Sequence, residues 1–158
     1  MYFRPHRDQC RMGVRYQIVI DGMDVEGLAR FWAEALKYVP EPPPQGFASW
    51  RDFYVNLGVT GKDLEIGADS IVDPSGGGPR IWFHRVLEEK VVKNRLHFDV
   101  KASGERSLPF ATRRAQVESE SSRLEQLGAR RLETDDDEPH NRYAVAMADP
   151  EGNEFDVN

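Results

Sequence analysis

The chain repeats its own plan. Each half opens with a short alternating strand, continues into one amphipathic helix, and closes on a turn containing Asp-Pro and Gly before a last strand. The turns read "DPSGGGP" (73–79) and "DPEGN" (149–153). Self-similarity at this period marks a duplicated supersecondary unit. One unit alone would leave a sheet face bare, whereas two side by side can curl into a cup with the helices outside. The expectation is an α+β chain: two tandem βαβββ modules forming a curled mixed sheet, with helices on its outer face. Module one takes residues 16–93 and module two 94–158, as a single domain at 16–158 after an N-terminal extension at 1–15.

Local signals fill in that plan. "YQIVIDG" (16–22) alternates and reads as a strand. Asp24 is placed to cap a helix in which Leu28, Phe31, Trp32, Ala35 and Leu36 recur as one buried stripe. "VPEPPPQG" (39–46) stops that helix, because proline lacks a donor and restricts its neighbour. Residues 47–67 carry Trp50, Phe53 and Tyr54 and read as a short helical pair inserted in module one, with Ser49 as a cap. "PRIWFHRVLE" (79–88) and "NRLHFDV" (94–100) alternate as strands. Val117, Ser121, Leu124 and Leu127 keep helical spacing within 112–128, where Gly128 can end the helix in a left-handed turn. "ARRLETD" and the segments flanking "DPEGN" complete the second set of strands, and "DDEPHN" (136–141) is a solvated acidic loop. The glycines of "SGGGP" lack a following Lys-Ser/Thr and a helix, so they read as a hairpin turn and not a phosphate cradle.

Composition narrows the partners. The 27 acidic and 21 basic residues give a formal charge of −6, and the basic residues are scattered, which argues against nucleic acid and membrane surfaces. Cys10 is the single cysteine, so no intramolecular disulfide can form and a cytoplasmic setting is expected. No apolar run approaches the length of a spanning helix.

Strand parity then selects candidate site residues. If Ile18 and Ile20, Ile81 and Phe83, Leu96, Phe98 and Val100, and Phe155 and Val157 face the helices, the opposite face receives Gln17 and Asp21, Trp82 and His84, His97 and Asp99, and Glu154 and Asp156. On a curled sheet that face is concave. Gln17, His84, His97 and Asp156 would then converge as two imidazoles, a carboxylate and an amide oxygen, a set suited to Fe, Mn, Ni, Co or Zn as divalent ions. Alternation alone also describes a sheet with one solvated face, so position in the two halves is what favours a site.

The pieces "IVIDGMDVEGLARFWAEAL", "IWFHRVLEEKVVKNRLHFDV" and "DPEGNEFDV", in this order, resemble the vicinal oxygen chelate superfamily, and within it the glyoxalase-like and bleomycin-resistance-like domain proteins. The resemblance covers about residues 16–158. It implies that four side chains from the first and last strands of each module bind one metal ion; here those positions correspond to Gln17, His84, His97 and Asp156. Glyoxalases of that family carry Glu at the last-strand positions, where this chain has His and Asp. His84, His97 and Asp156 have the composition of a 2-His-1-carboxylate triad, which suits Fe(II) oxygen chemistry.

Two functional readings follow. In the first, the protein is a metal-dependent enzyme, of lyase/isomerase or dioxygenase type, acting on a small molecule with vicinal oxygens. Asp156 would be ligand and base, and Glu154 would assist it as a second catalytic carboxylate. Trp82, Trp50 and Asp99 would line the substrate pocket. In the second, it is a metal-free binding protein of the antibiotic-sequestering type, whose cup stacks its aromatics on a flat ligand. A vestigial, regulatory cup is the remaining option. A homodimer is compatible with either reading.

Overall fold

The computed structural model describes residues 14–61 and 69–158. Cys10, most of the expected N-terminal extension and the latter part of the 47–67 insert therefore lie outside the described residues.

Module one runs β1 (Gln17–Gly22), α1 (Val25–Leu36), β2 (Val39–Pro40), α2 (Trp50–Asn56), β3 (Ser70–Val72) and β4 (Arg80–Arg85). Module two runs β5 (Asp99–Val100), α3 (Phe110–Gln126), β6 (Arg130–Asp137), β7 (Arg142–Ala148) and β8 (Glu154–Val157), with one 3-10 turn at Glu138–His140. Hydrogen bonding divides the strands into two four-stranded sheets, one per module, in the orders β1-β4-β3-β2 and β5-β8-β7-β6. The orders match. In each module the first strand pairs in parallel with the last, and the remaining pairs are antiparallel.

The local chemistry explains these elements. Asp24 caps α1 by accepting from the Gly27 N–H at 2.9 Å, and Lys37 ends the helix in a left-handed conformation at φ 57°. The helix thus stops three residues before Pro40, not at the proline run as expected. Pro40 instead enters β2, an edge strand, where its missing donor costs no ladder bond. Val117, Ser121 and Leu124 of α3 are fully buried, as their spacing predicts, and Gly128 follows at φ 110°. Asp73 and Asp149 organise the two turns alike: Asp73 accepts from the Ser75 and Gly78 N–H groups, Asp149 from those of Glu151 and Asn153.

The modules share one core. Trp32 on α1 makes edge contacts with Phe98 and Phe155 of module two at centroid distances of 5.0 and 5.1 Å. Its indole N–H donates to buried Asp149 at 3.1 Å. The Glu151 carboxylate accepts from the Met23 N–H at 2.8 Å and from that of Asp24, where α1 begins with unpaired donors. At the other end of α1, Arg123 of α3 donates to the Glu34 and Ala35 carbonyls, each at 3.3 Å. Helix α1 is thus held from module two at both ends.

One expectation changes. The strand predicted over 94–100 is reduced to Asp99–Val100, and Leu96 is 88% exposed instead of facing a helix. The cause is a long-range tie: Glu154 accepts from the Asn94 N–H at 2.8 Å and from Lys90 at 3.1 Å, which holds residues 90–94 against β8 as an arm and off the ladder. Of the helical pair expected in the insert, the described residues contain α2, capped by Ser49 through the Asp52 N–H at 3.1 Å; the remainder of the pair falls outside the described residues. Among the described residues, no helix is long and apolar enough to cross a membrane.

Candidate metal centre

Parity is correct on the strands that form. Ile81, Phe83, Phe155 and Val157 are buried under the helices, while Gln17, Asp21, His84 and Asp99 are exposed and Trp82, Glu154 and Asp156 are half-buried. What the structure changes is which of the outward residues meet.

Among the described residues, one group of three or more His, Cys, Asp or Glu side chains brings its potential ligand atoms within 4.8 Å of one another: His97, Asp99 and Asp156. The backbone explains it. Asp99 and Asp156 are direct partners across the parallel β5–β8 pair, so their carboxylates stand side by side. His97, two residues before Asp99, turns its Nε2 to within 3.6 Å of Asp99 Oδ1 and 3.4 Å of Asp156 Oδ2. Ala146, the β7 partner of Asp156, adds only a methyl group and leaves the site open. The donor set fits a divalent cation: ligands about 2.1 Å from one ion lie roughly 3.0–3.5 Å from each other at octahedral or tetrahedral angles. Lys101 donates to Asp99 Oδ2 at 3.1 Å and to Asn158 Oδ1 at 2.8 Å. That hydrogen bond holds the Asp99 carboxyl below the usual carboxylate range, against partial desolvation.

Gln17 and His84 do not join each other. In the β1–β4 register Gln17 pairs with Arg80 and His84 with Asp21, four residues along, which is about 13 Å. Gln17 Oε1 accepts from Arg80 at 2.8 Å, and Arg80 also holds Glu41 and Ser70. His84 Nδ1 lies 3.1 Å from Asp21 Oδ1, and its ring is 5.0 Å from that of Trp82. Of the four side chains expected to converge, His97 and Asp156 meet and are joined by Asp99, while Gln17 and His84 stand four residues apart along the β1–β4 pair.

Register also revises the correspondence between modules. His97 stands two residues before Asp99, the partner of Asp156; Gln17 stands two residues before Val19, whose partner is Trp82. The module-one counterpart of Asp156 is Trp82, and His84 corresponds to Asn158. The first turn is longer: Trp82 follows Asp73 by nine positions, whereas Asp156 follows Asp149 by seven. That offset hides the match in the sequence. Asp99, read there as a pocket residue, is the third member of the cluster, and its position directly beside Asp156 was the missed signal.

The remaining candidates have clear surroundings. Glu154 was expected to act as a catalytic group, but the Asn94 N–H and then Lys90 hold its carboxyl at about 2, too acidic for a base at neutral pH. Trp82 donates its indole N–H to Asp69 at 2.9 Å. Trp50 donates to the Glu41 carbonyl at 2.8 Å and stacks on Tyr54 at 5.7 Å. Burial and the neighbouring Asp69 carboxylate raise the Tyr54 phenol, with Arg80 opposing them. His140 bonds Asp137 in an exposed turn, away from the cluster.

Comparison with known proteins places these features in context. A family model described as a glyoxalase-like domain matches residues 17–158. A comparison with curated proteins finds no match. Among solved structures, the chain is similar to a fosfomycin resistance protein FosX from Mesorhizobium loti (TM-score 0.54, 10% identity, covering 92% of this chain and 91% of that one). It is also similar to a FosX variant from Listeria monocytogenes complexed with Mn(II) and 1S,2S-dihydroxypropylphosphonic acid (TM-score 0.56, 9% identity, 93% and 90% covered). A glyoxalase/bleomycin resistance protein/dioxygenase family enzyme from Burkholderia phytofirmans PsJN gives a TM-score of 0.53 at 15% identity, with 90% and 94% covered. At these identities the likeness is one of fold.

Proposed function

This chain belongs to the glyoxalase-like domain family, and from that premise we propose that it is a divalent-metal-dependent enzyme whose centre is built by His97, Asp99 and Asp156. The observation that carries the reading is the meeting of one imidazole and two carboxylates within 4.8 Å. A set with two carboxylate oxygens favours Mn(II)-type ions over softer ones. The second imidazole of a 2-His-1-carboxylate triad is absent from the cluster, because His84 is engaged with Asp21. Redox-neutral lyase or isomerase chemistry is therefore preferred over dioxygen activation. A divalent ion here would chelate vicinal oxygens of a small substrate and stabilise developing enolate charge. The chain's own residues shape the approach: Ala146 keeps the floor low, and the tie from Lys90 and Asn94 to Glu154 holds the 86–98 arm in place.

The metal-free binding reading retains one specific support: Trp82, an aromatic side chain, stands where the second module has Asp156. Titration separates the two. Mn(II) added to chelator-stripped protein raises the melting temperature under the enzyme reading, because a ligand bound only to the native state stabilises it. Saturable tryptophan quenching by aromatic ligands in chelator, with no response to metal, supports the binding reading instead.

We also propose a homodimer. Leu87, Val91, Val92 and Leu96 are 76–90% exposed along one arm, a larger apolar strip than an isolated surface residue. Lys90 on the same arm is paired with Glu154, and Glu88 and Glu89 balance Lys93 and Arg95, so two copies can face each other without net repulsion.

A further inference from the structure

Lys101 is the one feature of the cluster that the metal reading leaves without a role. Its ammonium bonds Asp99 at 3.1 Å and Asn158 at 2.8 Å, although its side chain is 68% exposed and free to choose other positions. The formal charges define what it does. Asp99 and Asp156 contribute two negative charges, Lys101 one positive, and His97 is taken as neutral, as a ligand must be. The cluster with Lys101 therefore carries a net charge of −1, and a divalent ion brings it to +1. Without Lys101 the same centre would go from −2 to neutral.

Resting on the metal reading, we propose that Lys101 is the resident counter-ion of this centre and, once an ion has taken Asp99, the anchor for the ligand's anionic group. The centre then prefers a small monoanion with vicinal oxygens, such as a 2-hydroxy acid, over a neutral molecule of the same shape. Two consequences are physical. An ammonium bonded to Asp99 competes with the entering cation for the same carboxylate and repels it. After the exchange, Asn158 still holds the ammonium at the rim, but an amide oxygen offers no charge, so the ammonium is left to recruit an anion. The ammonium is accessible to such an anion, because the Lys101 side chain is 68% exposed beside the half-exposed Asp99 and His97.

Isothermal titration of the full-length, chelator-stripped protein tests this in two stages, with Lys101→Met and the charge-preserving Lys101→Arg as the variants. In the first stage Mn(II) is the probe: Lys101→Met binds it about tenfold more tightly than wild type, and Lys101→Arg stays near wild type. In the second, glycolate and the isosteric neutral glycolamide are titrated into the Mn(II)-loaded proteins. Glycolate binding weakens about tenfold in Lys101→Met and is retained in Lys101→Arg, while glycolamide binds all three alike. Unchanged melting temperatures without metal exclude a folding effect. Equal Mn(II) affinity in wild type and Lys101→Met, or glycolate binding indifferent to the substitution, overturns the role of Lys101 while leaving the metal centre intact. Absence of Mn(II) binding in every protein removes the centre itself, and with it this inference.

Discussion

At the scale of single residues, neighbours across a strand pair decide what each titratable group can do. Asp99 and Asp156 face each other and, in the proposed centre, share a cation; Asp21 and His84 face each other and pair instead. Asp99→Ala should therefore abolish the rise in melting temperature that Mn(II) produces, and His97→Ala should do the same. His84→Ala should leave that rise intact, which a thermal-shift titration of the three variants checks. Glu154 has a different task. Its folded pKa of about 2 lies below the ordinary value of 4.5, so its contribution to stability is present above pH 5 and is lost as the pH falls towards 2. Glu154→Gln should cost about 1 kcal/mol at pH 7, allowing for solvent screening, with the difference from wild type vanishing near pH 2. Denaturant unfolding across that pH range measures it.

At the scale of elements, the turn 149–153 is the joint between the modules. Buried Asp149 serves the Trp32 indole and the Glu151 and Asn153 backbone donors together. Asp149→Ala would orphan several buried donors at once and should destabilise the protein by about 3 kcal/mol. Asp24→Ala, which removes only the α1 cap, should cost about 1 kcal/mol. Urea midpoints of the two variants give the comparison. Helices α1 and α3 were legible because apolar spacing and caps are local signals: Asp24, Val117, Leu124 and Gly128 all act where the sequence places them. β5 was not legible in its extent. The alternation of "NRLHFDV" is a period that a strand needs, yet pairing also requires a free partner, and the tie from Glu154 to Asn94 is a contact across 60 residues. The short β2 was missed for the reverse reason, since Pro40 argues against a strand until it is seen to lie at an edge.

At the scale of the whole molecule, duplication was the most legible property and the site the least. The internal repeat in the sequence is enough to give two modules of matching strand order, because each turn and each alternating strand is encoded locally. Which residues of the two modules correspond depends on the parallel register of first and last strands, and the longer first turn shifts it by two residues. Parity placed His97, Asp99 and Asp156 on one face, whereas only register put Asp99 beside Asp156 and moved His84 away. The exposed arm belongs to this scale too. Sedimentation at micromolar concentration should show a dimer, and Leu87→Asp with Val91→Asp should return it to a monomer with an unchanged melting temperature in the absence of self-association. The central claim, that module two alone supplies the protein ligands of a metal centre, is tested most directly by anomalous diffraction from crystals grown with Mn(II). The account predicts one strong peak about 2.1–2.3 Å from His97, Asp99 and Asp156. A peak bound by Gln17 or His84, or no peak at the cluster in metal-saturated crystals, would contradict it.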